Sequence, residues 1–229
     1  MRNQFVGDVG DFGKYALLNA LVGDQLRLGV NWYFNEDEPT SDGCFTNYAH
    51  LRDCDPSLYD TLQAIVNSND RSVAAIQRAR ILPPHSVYFS SPVPPTRAAR
   101  NEWNTAAADI LAPAEVVFLD PDTGLGKFGT QYVYATELAP YLEAGKTIVI
   151  YQHATRTKGG LSEIMRRAGT LLRSFGCQTM PSAFVFRRIS VRVYFIVPAQ
   201  AHVEILATRS STFLETAWAQ ERHFEFQEI

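Results

Sequence analysis

Apolar residues recur near helical spacing from Ala16 to Leu28, at Leu17, Leu18, Leu21, Val22 and Leu28. The pattern then turns continuous through Val30-Asn31-Trp32-Tyr33-Phe34. A helix followed by a strand is the expected outcome, since the period changes from 3.6 toward an unbroken apolar run. A polar loop, residues 35–43, comes next. Helices are expected over Ser57–Asn67 and Ser72–Ile81, the first opened by the start signal Asp55-Pro56-Ser57. Pro83-Pro84 interrupts the chain before a short strand, Ser86–Ser90.

The second half repeats the alternation. Thr96–Leu111 reads as a helix, Val116–Leu119 as a strand and Tyr134–Glu143 as a helix. Lys146–Gln152 is a strand and Gly159–Phe175 a helix bounded by glycines. Phe184–Arg187 and Val191–Val197 form a hairpin about Arg188-Ile189-Ser190, then Val203–Trp218 reads as a helix and Phe224–Phe226 as a last strand. Strands alternating with helices predict an α/β protein whose mostly parallel sheet carries helices on both faces. The closing hairpin adds antiparallel strands. With 229 residues, 46% of them hydrophobic, the chain can bury one core over residues 1–229, with a helical insertion around residues 55–82.

The strand Val116-Val117-Phe118-Leu119 ends in Asp120-Pro121-Asp122-Thr123-Gly124. Ligands of open α/β sheets sit outside the carboxyl ends of the strands, so Asp120 and Asp122 stand where chemistry is expected. The bland reading is a strand-ending turn, for which Asp, Pro and Gly are ordinary residues. His153, just past the Lys146–Gln152 strand, falls at the same sheet edge. The other histidines, His50, His85, His202 and His223, have no partners in sequence and read as structural, as do Trp32, Trp103 and Trp218.

Formal charge is −3 overall but unevenly placed: residues 1–60 carry a net of −6 and residues 146–192 a net of +8. The basic stretch, with Arg156 and Lys158 at its centre, could meet the phosphates of a nucleic acid. Alternatively it is a solvated helix face with ion pairs to the acidic half. Three cysteines (Cys44, Cys54 and Cys177) without a CxxC pair predict neither a disulfide framework nor a structural zinc site. No signal-peptide pattern opens the chain and no apolar run is long enough for a membrane span, so a soluble cytoplasmic protein is expected.

The opening Gly7-Asp8-Val9-Gly10-Asp11-Phe12-Gly13-Lys14-Tyr15 does not make a phosphate loop. Five residues rather than four separate Gly7 from Gly13, Tyr15 stands where a hydroxyl residue must bind magnesium, and two aspartates would repel phosphate. After Phe34, Glu36, Asp37, Glu38 and Asp42 favour a hydroxyl-bearing ligand, an amine or a cation over a pyrophosphate, unless they form a solvated acidic loop.

These pieces resemble class I S-adenosylmethionine-dependent methyltransferases, closest in pattern to the bacterial 23S ribosomal-RNA adenine-N6 methyltransferases. That family opens with Gly-Asn-x-x-Asp-x-x-Lys-His, matched here by Gly7, Asp11 and Lys14 at the same spacing. Its Asp-Pro-Pro-Tyr motif falls at a strand end, where Asp120-Pro121-Asp122-Thr123 stands, with Asp122 in place of the second proline and Thr123 in place of the aromatic. The order of elements is similar over most of the chain. The resemblance implies a Rossmann-like fold and S-adenosylmethionine as cofactor. It implies Lys14 on the methionine carboxylate, with Asp8 and Asp11 ordering that segment. Asn35, Glu36 or Asp37 would meet the cofactor's amine or ribose, and Asp120 would orient the nucleophile and accept its proton. Arg156 and Lys158 would take substrate phosphates.

A different chemistry uses the same residues. Asp120 and Asp122, helped by Asp8, Asp11 or Asp42, could hold magnesium or manganese, which prefer oxygen ligands. His153 would then be general base or ligand in a metal-dependent nuclease or phosphoesterase. A third alternative is a non-catalytic member that binds nucleic acid or a partner protein.

Overall fold

A computed structural model describes residues 1–40, 42–154, 158–175 and 179–229. Its centre is a seven-stranded sheet of order β2-β1-β3-β6-β8-β7-β9, formed by β1 (Leu28–Asn31), β2 (Val87–Phe89), β3 (Val116–Leu119), β6 (Thr147–His153), β7 (Ser182–Arg188), β8 (Ser190–Val197) and β9 (Phe224–Glu228). The first four are mutually parallel. β8 lies antiparallel between β6 and β7, and β9 closes the edge antiparallel to β7. A second, two-stranded parallel sheet joins β4 (Gly124–Gly126) to β5 (Tyr132–Tyr134).

Alternation along the strands divides the core. Val30, Phe118, Val149, Phe184 and Tyr194 face a layer built on α1 (Val9–Val22), α2 (Pro56–Asn67), α3 (Val73–Ala79) and α7 (Val203–Leu214). Val117, Ile148, Ile150, Val185 and Phe195 face the other layer, on α4 (Arg97–Ile110) and α6 (Gly160–Ser174). A strand whose successive side chains point to opposite faces must be apolar throughout when both faces are covered. That is why β3 and β6 read as unbroken runs. The expected mostly parallel sheet with helices on both faces is therefore present.

Several boundaries differ from the sequence reading, each for a local reason. α1 starts at Val9 rather than near Ala16, because Asp8 caps it. β1 ends at Asn31, because Tyr33 takes a positive φ of 43° and donates its N–H to Asn31 Oδ1 at 3.1 Å. α2 and α3 form the crossover that joins β1 to β2. The predicted Tyr134–Glu143 helix splits into a 3-10 turn, Ala135–Glu137, and α5 (Ala139–Glu143), because Glu137 turns back to accept the N–H of Tyr134 at 2.9 Å. The Val203–Trp218 helix breaks after Leu214 and resumes as α8 (Ala217–Gln220). The hairpin is tighter than expected, since Arg188 already pairs with Ser190 and only Ile189, at φ 62°, makes the turn. Among the described residues, no helix is long and apolar enough to cross a membrane.

Candidate functional site

The chain leaves β1 for β2 on one side and returns to β3 on the other, so the connections diverge between the carboxyl ends of β1 and β3. Crevices at such switch points are where open α/β sheets bind ligands. Here the crevice widens into a cleft of about 540 Å³ whose walls include Asp8, Asp11, Lys14, Glu38, Asp42, Asp120, Asp122, His153 and Arg192.

One wall is the start of α1. Asp8 Oδ1 accepts the N–H of Asp11 at 2.9 Å, and Asp11 Oδ2 accepts the N–H of Gly7 at 3.1 Å. The first bond caps the helix at Asp8, and the second ties Asp11, in the first turn, back to the segment before it. Lys14, one turn on, bonds Asp11 Oδ1 and Asp120 Oδ2, each at 2.8 Å. All three side chains are buried. Burial disfavours the Lys14 ammonium, but Asp11 and Asp120 outweigh it and hold its pKa well above the usual lysine value. Burial pushes the Asp120 carboxyl up, and Lys14 offsets part of that. Arg192 reaches Asp8 from β8 at 3.7 Å. Its guanidinium lies across Gly10, where an added Cβ would come within 2.5 Å of Arg192 Nε. A side chain at position 10 would require the Arg192 guanidinium to shift.

The other wall follows β3. Asp122 Oδ1 lies 2.8 Å from the Met1 amino nitrogen, and Asp122 Oδ2 accepts from Arg2 Nε at 2.8 Å. The Met1 nitrogen also donates to the carbonyls of Tyr33 (3.1 Å) and Asp120 (2.8 Å). Burial works against Asp122 ionisation, yet the Met1 ammonium and Arg2 prevail and hold its pKa below the usual carboxylate value. Arg2 also pairs with Glu38 at 2.6 Å, while its Nη1 is buried with no hydrogen-bond partner. His153 closes the cleft from the end of β6, its pKa lowered by burial and by Arg192. The adjoining Gln152 side chain clamps β4 by accepting from Leu125 N–H (3.0 Å) and donating to the Thr123 carbonyl (3.0 Å). Gly124, at φ 130°, is the residue that lets Gln152 lie so close.

Six expected site residues thus converge on one cleft: Asp8, Asp11, Lys14, Asp120, Asp122 and His153. Asn35 lies beside it, donating to the Tyr33 carbonyl at 2.9 Å and to Asp122 at 3.4 Å. Glu36 and Asp37 are exposed and line no part of the cleft; Glu38 and Asp42, further along the same loop, do. Lys158 is exposed and away from the cleft, and Arg156 lies outside the described residues. Met1, Arg2 and Tyr151 were not expected in the site, since nothing in a Met-Arg opening signals a role in sequence.

Described residues of the basic stretch have separate partners. Lys146, at the opening end of β6, bonds the carbonyls of Ala112 and Ala114. Arg166 and Arg167 pair with Glu163, Arg187 with Glu225, and Arg192 is buried beside Asp8. No protein-family model matches this chain, and no curated protein does either.

Burial raises the Asp8 carboxyl to about 6, with Arg192 working against the shift and Asp11 adding to it. A carboxyl whose folded pKa lies above its unfolded value binds more protons when folded, so stability falls as pH rises between the two. Asp8 therefore makes the fold less stable at pH 6.5 than at pH 4, relative to an Asp8→Asn variant that lacks this slope. Urea unfolding of both proteins across that range checks it; parallel pH profiles would remove Asp8 as the cause.

Proposed function

We propose that this chain is a Rossmann-like, S-adenosylmethionine-dependent methyltransferase-type enzyme acting on a nitrogen of a nucleic-acid base. The observation that carries the reading is the Lys14–Asp120 ion pair, which joins the opening-helix motif to the strand-end motif across 106 residues of sequence. The insertion of antiparallel β8 between β6 and β7 agrees with the closing hairpin of that enzyme class.

The donor set suits the cofactor. Acceptors for its ammonium would be Asp122 and the carbonyls of Tyr33 and Asp120, the same group that takes the Met1 nitrogen. Lys14 pairs with Asp11 and Asp120 and Arg2 with Asp122 and Glu38, so these two cations of the cleft are the groups that would face the cofactor carboxylate. The surplus of acids on the cleft wall favours a cationic sulfonium. When bound, the cofactor supplies an electrophilic methyl group. The protein's contribution is positioning, because in-line displacement depends on alignment. With Asp120 Oδ2 held by Lys14, Oδ1 would accept a hydrogen bond from the acceptor amine and orient its lone pair. Phe45 and Ile189, both exposed on the cleft wall, offer apolar surface to a base ring.

Calorimetric titration of the metal-stripped protein with S-adenosylmethionine tests this. Micromolar binding is expected, weakened at least tenfold in Asp122→Asn and in Arg2→Gln. A folded protein that ignores the cofactor but binds manganese, and loses manganese in Asp120→Asn, would overturn the reading in favour of phosphoester chemistry.

A further inference from the structure

We propose that Cys54, Glu221 and His223 form a binding site for a zinc-class transition-metal ion. They come from two distant parts of the chain: Cys54 ends the 3-10 turn Ala49–Cys54, while Glu221 and His223 lie in the connection from α8 to β9. One candidate ligand atom from each lies within 4.8 Å of the other two. None of the three lines the cleft, so the site is independent of the enzymatic reading.

His223 is the observation that points to a ligand. Only 3% of it is exposed, and its main chain is fixed on both sides by the Trp218 carbonyl and the Arg187 N–H, each bond 2.9 Å. The ring packs edge-on against Trp218 at 6.1 Å. Its Nε2 meets Glu221 at 3.1 Å, but its Nδ1 is buried with no hydrogen-bond partner. The Nε2 edge of the ring faces the Glu221 carboxylate, and an imidazole, a thiol and a carboxylate gathered within 4.8 Å are a metal-ligand set. Cys54 is a free, half-buried thiol.

The ligand chemistry selects the metal. Thiolate and imidazole exclude magnesium and calcium and suit zinc or cobalt(II). One thiolate and one carboxylate neutralise a divalent ion, so a half-buried site holds no net charge. Tetrahedral zinc, with Zn–N about 2.0 Å and Zn–S about 2.3 Å, needs ligand atoms roughly 3.3–3.8 Å apart. From 4.8 Å that is a side-chain adjustment. Glu221 is exposed, so water can take the fourth position. Bound metal would tie the 3-10 turn to the α8–β9 corner and stabilise the fold by linkage.

Cobalt(II) titration of the chelator-treated full chain reads the site directly. The expected result is one equivalent bound with micromolar affinity, a thiolate-to-cobalt charge-transfer band, displacement by zinc and a rise in Tm. Cys54→Ser should abolish the band. Glu221→Gln, an exposed change that leaves the fold intact, should weaken binding tenfold or more. A folded protein with no band, or a band that persists in Cys54→Ser, would overturn the proposal.

Discussion

Lys14→Met is expected to be the most damaging single substitution in the cleft, costing about 3–5 kcal/mol. The side chain is 5% exposed and neutralises two carboxylates, Asp11 and Asp120, that are each 2% exposed. Removing it leaves two buried negative charges facing one another, which is worse than never having had the network. For a chain of this size that corresponds to a fall in Tm of roughly 6–20 °C. Adding Asp120→Asn should recover part of the loss, because one of the orphaned charges is then absent. Chemical unfolding of the two variants measures it. A loss below about 1 kcal/mol would mean that water reaches the carboxylates and that the network is not closed.

The second large effect is expected at Arg100. Its guanidinium, on α4, bonds both oxygens of Glu137 and the carbonyls of Gly129 and Tyr132, and it lies 3.8 Å from the centroid of the Tyr134 ring. Arg100→Met leaves Glu137 buried with only neutral donors, Tyr33 Oη and Tyr134 N–H. A cost of about 3 kcal/mol follows from breaking a buried pair one-sidedly. The consequence should be local as well as global. Arg100, together with Gln152, fastens the β4–β5 lobe, which carries Thr130 and Gln131 to the cleft wall. Hydrogen exchange of residues 124–137 should therefore accelerate more than that of β3 or β6, which are held by the main sheet. Uniform acceleration would show that the lobe does not open separately.

Much of the fold was legible because its strands are covered on both faces. Continuous apolar runs at β3 and β6, and the alternation of strands with amphipathic helices, are direct consequences of that burial. The cap of α1 was also written in the chain, as Asp8 three residues before Asp11, although reading those residues only as a motif concealed the helix start. Asp120 and Asp122 were legible as site residues because a strand that ends in acids must present them at a sheet edge. The β4–β5 pair was not legible. Its strands are only three residues long and are held by Gln152 and Arg100, which lie elsewhere in sequence.

The sequence by itself therefore determined the α/β class, the strand that ends at Asp120 and the acids and lysine of the opening motif, since these depend on local period, capping and side-chain chemistry. Tertiary structure alone decided their partners. It set Lys14 between Asp11 and Asp120, Asp122 on Met1 and Arg2, and Arg192 on Asp8. It moved the cleft acids of the first loop from Glu36 and Asp37 to Glu38 and Asp42, and it brought His223 beside Cys54. Charged and ligating groups act over a few ångströms of space, and residues that distant along the chain meet only when the sheet order brings their elements together.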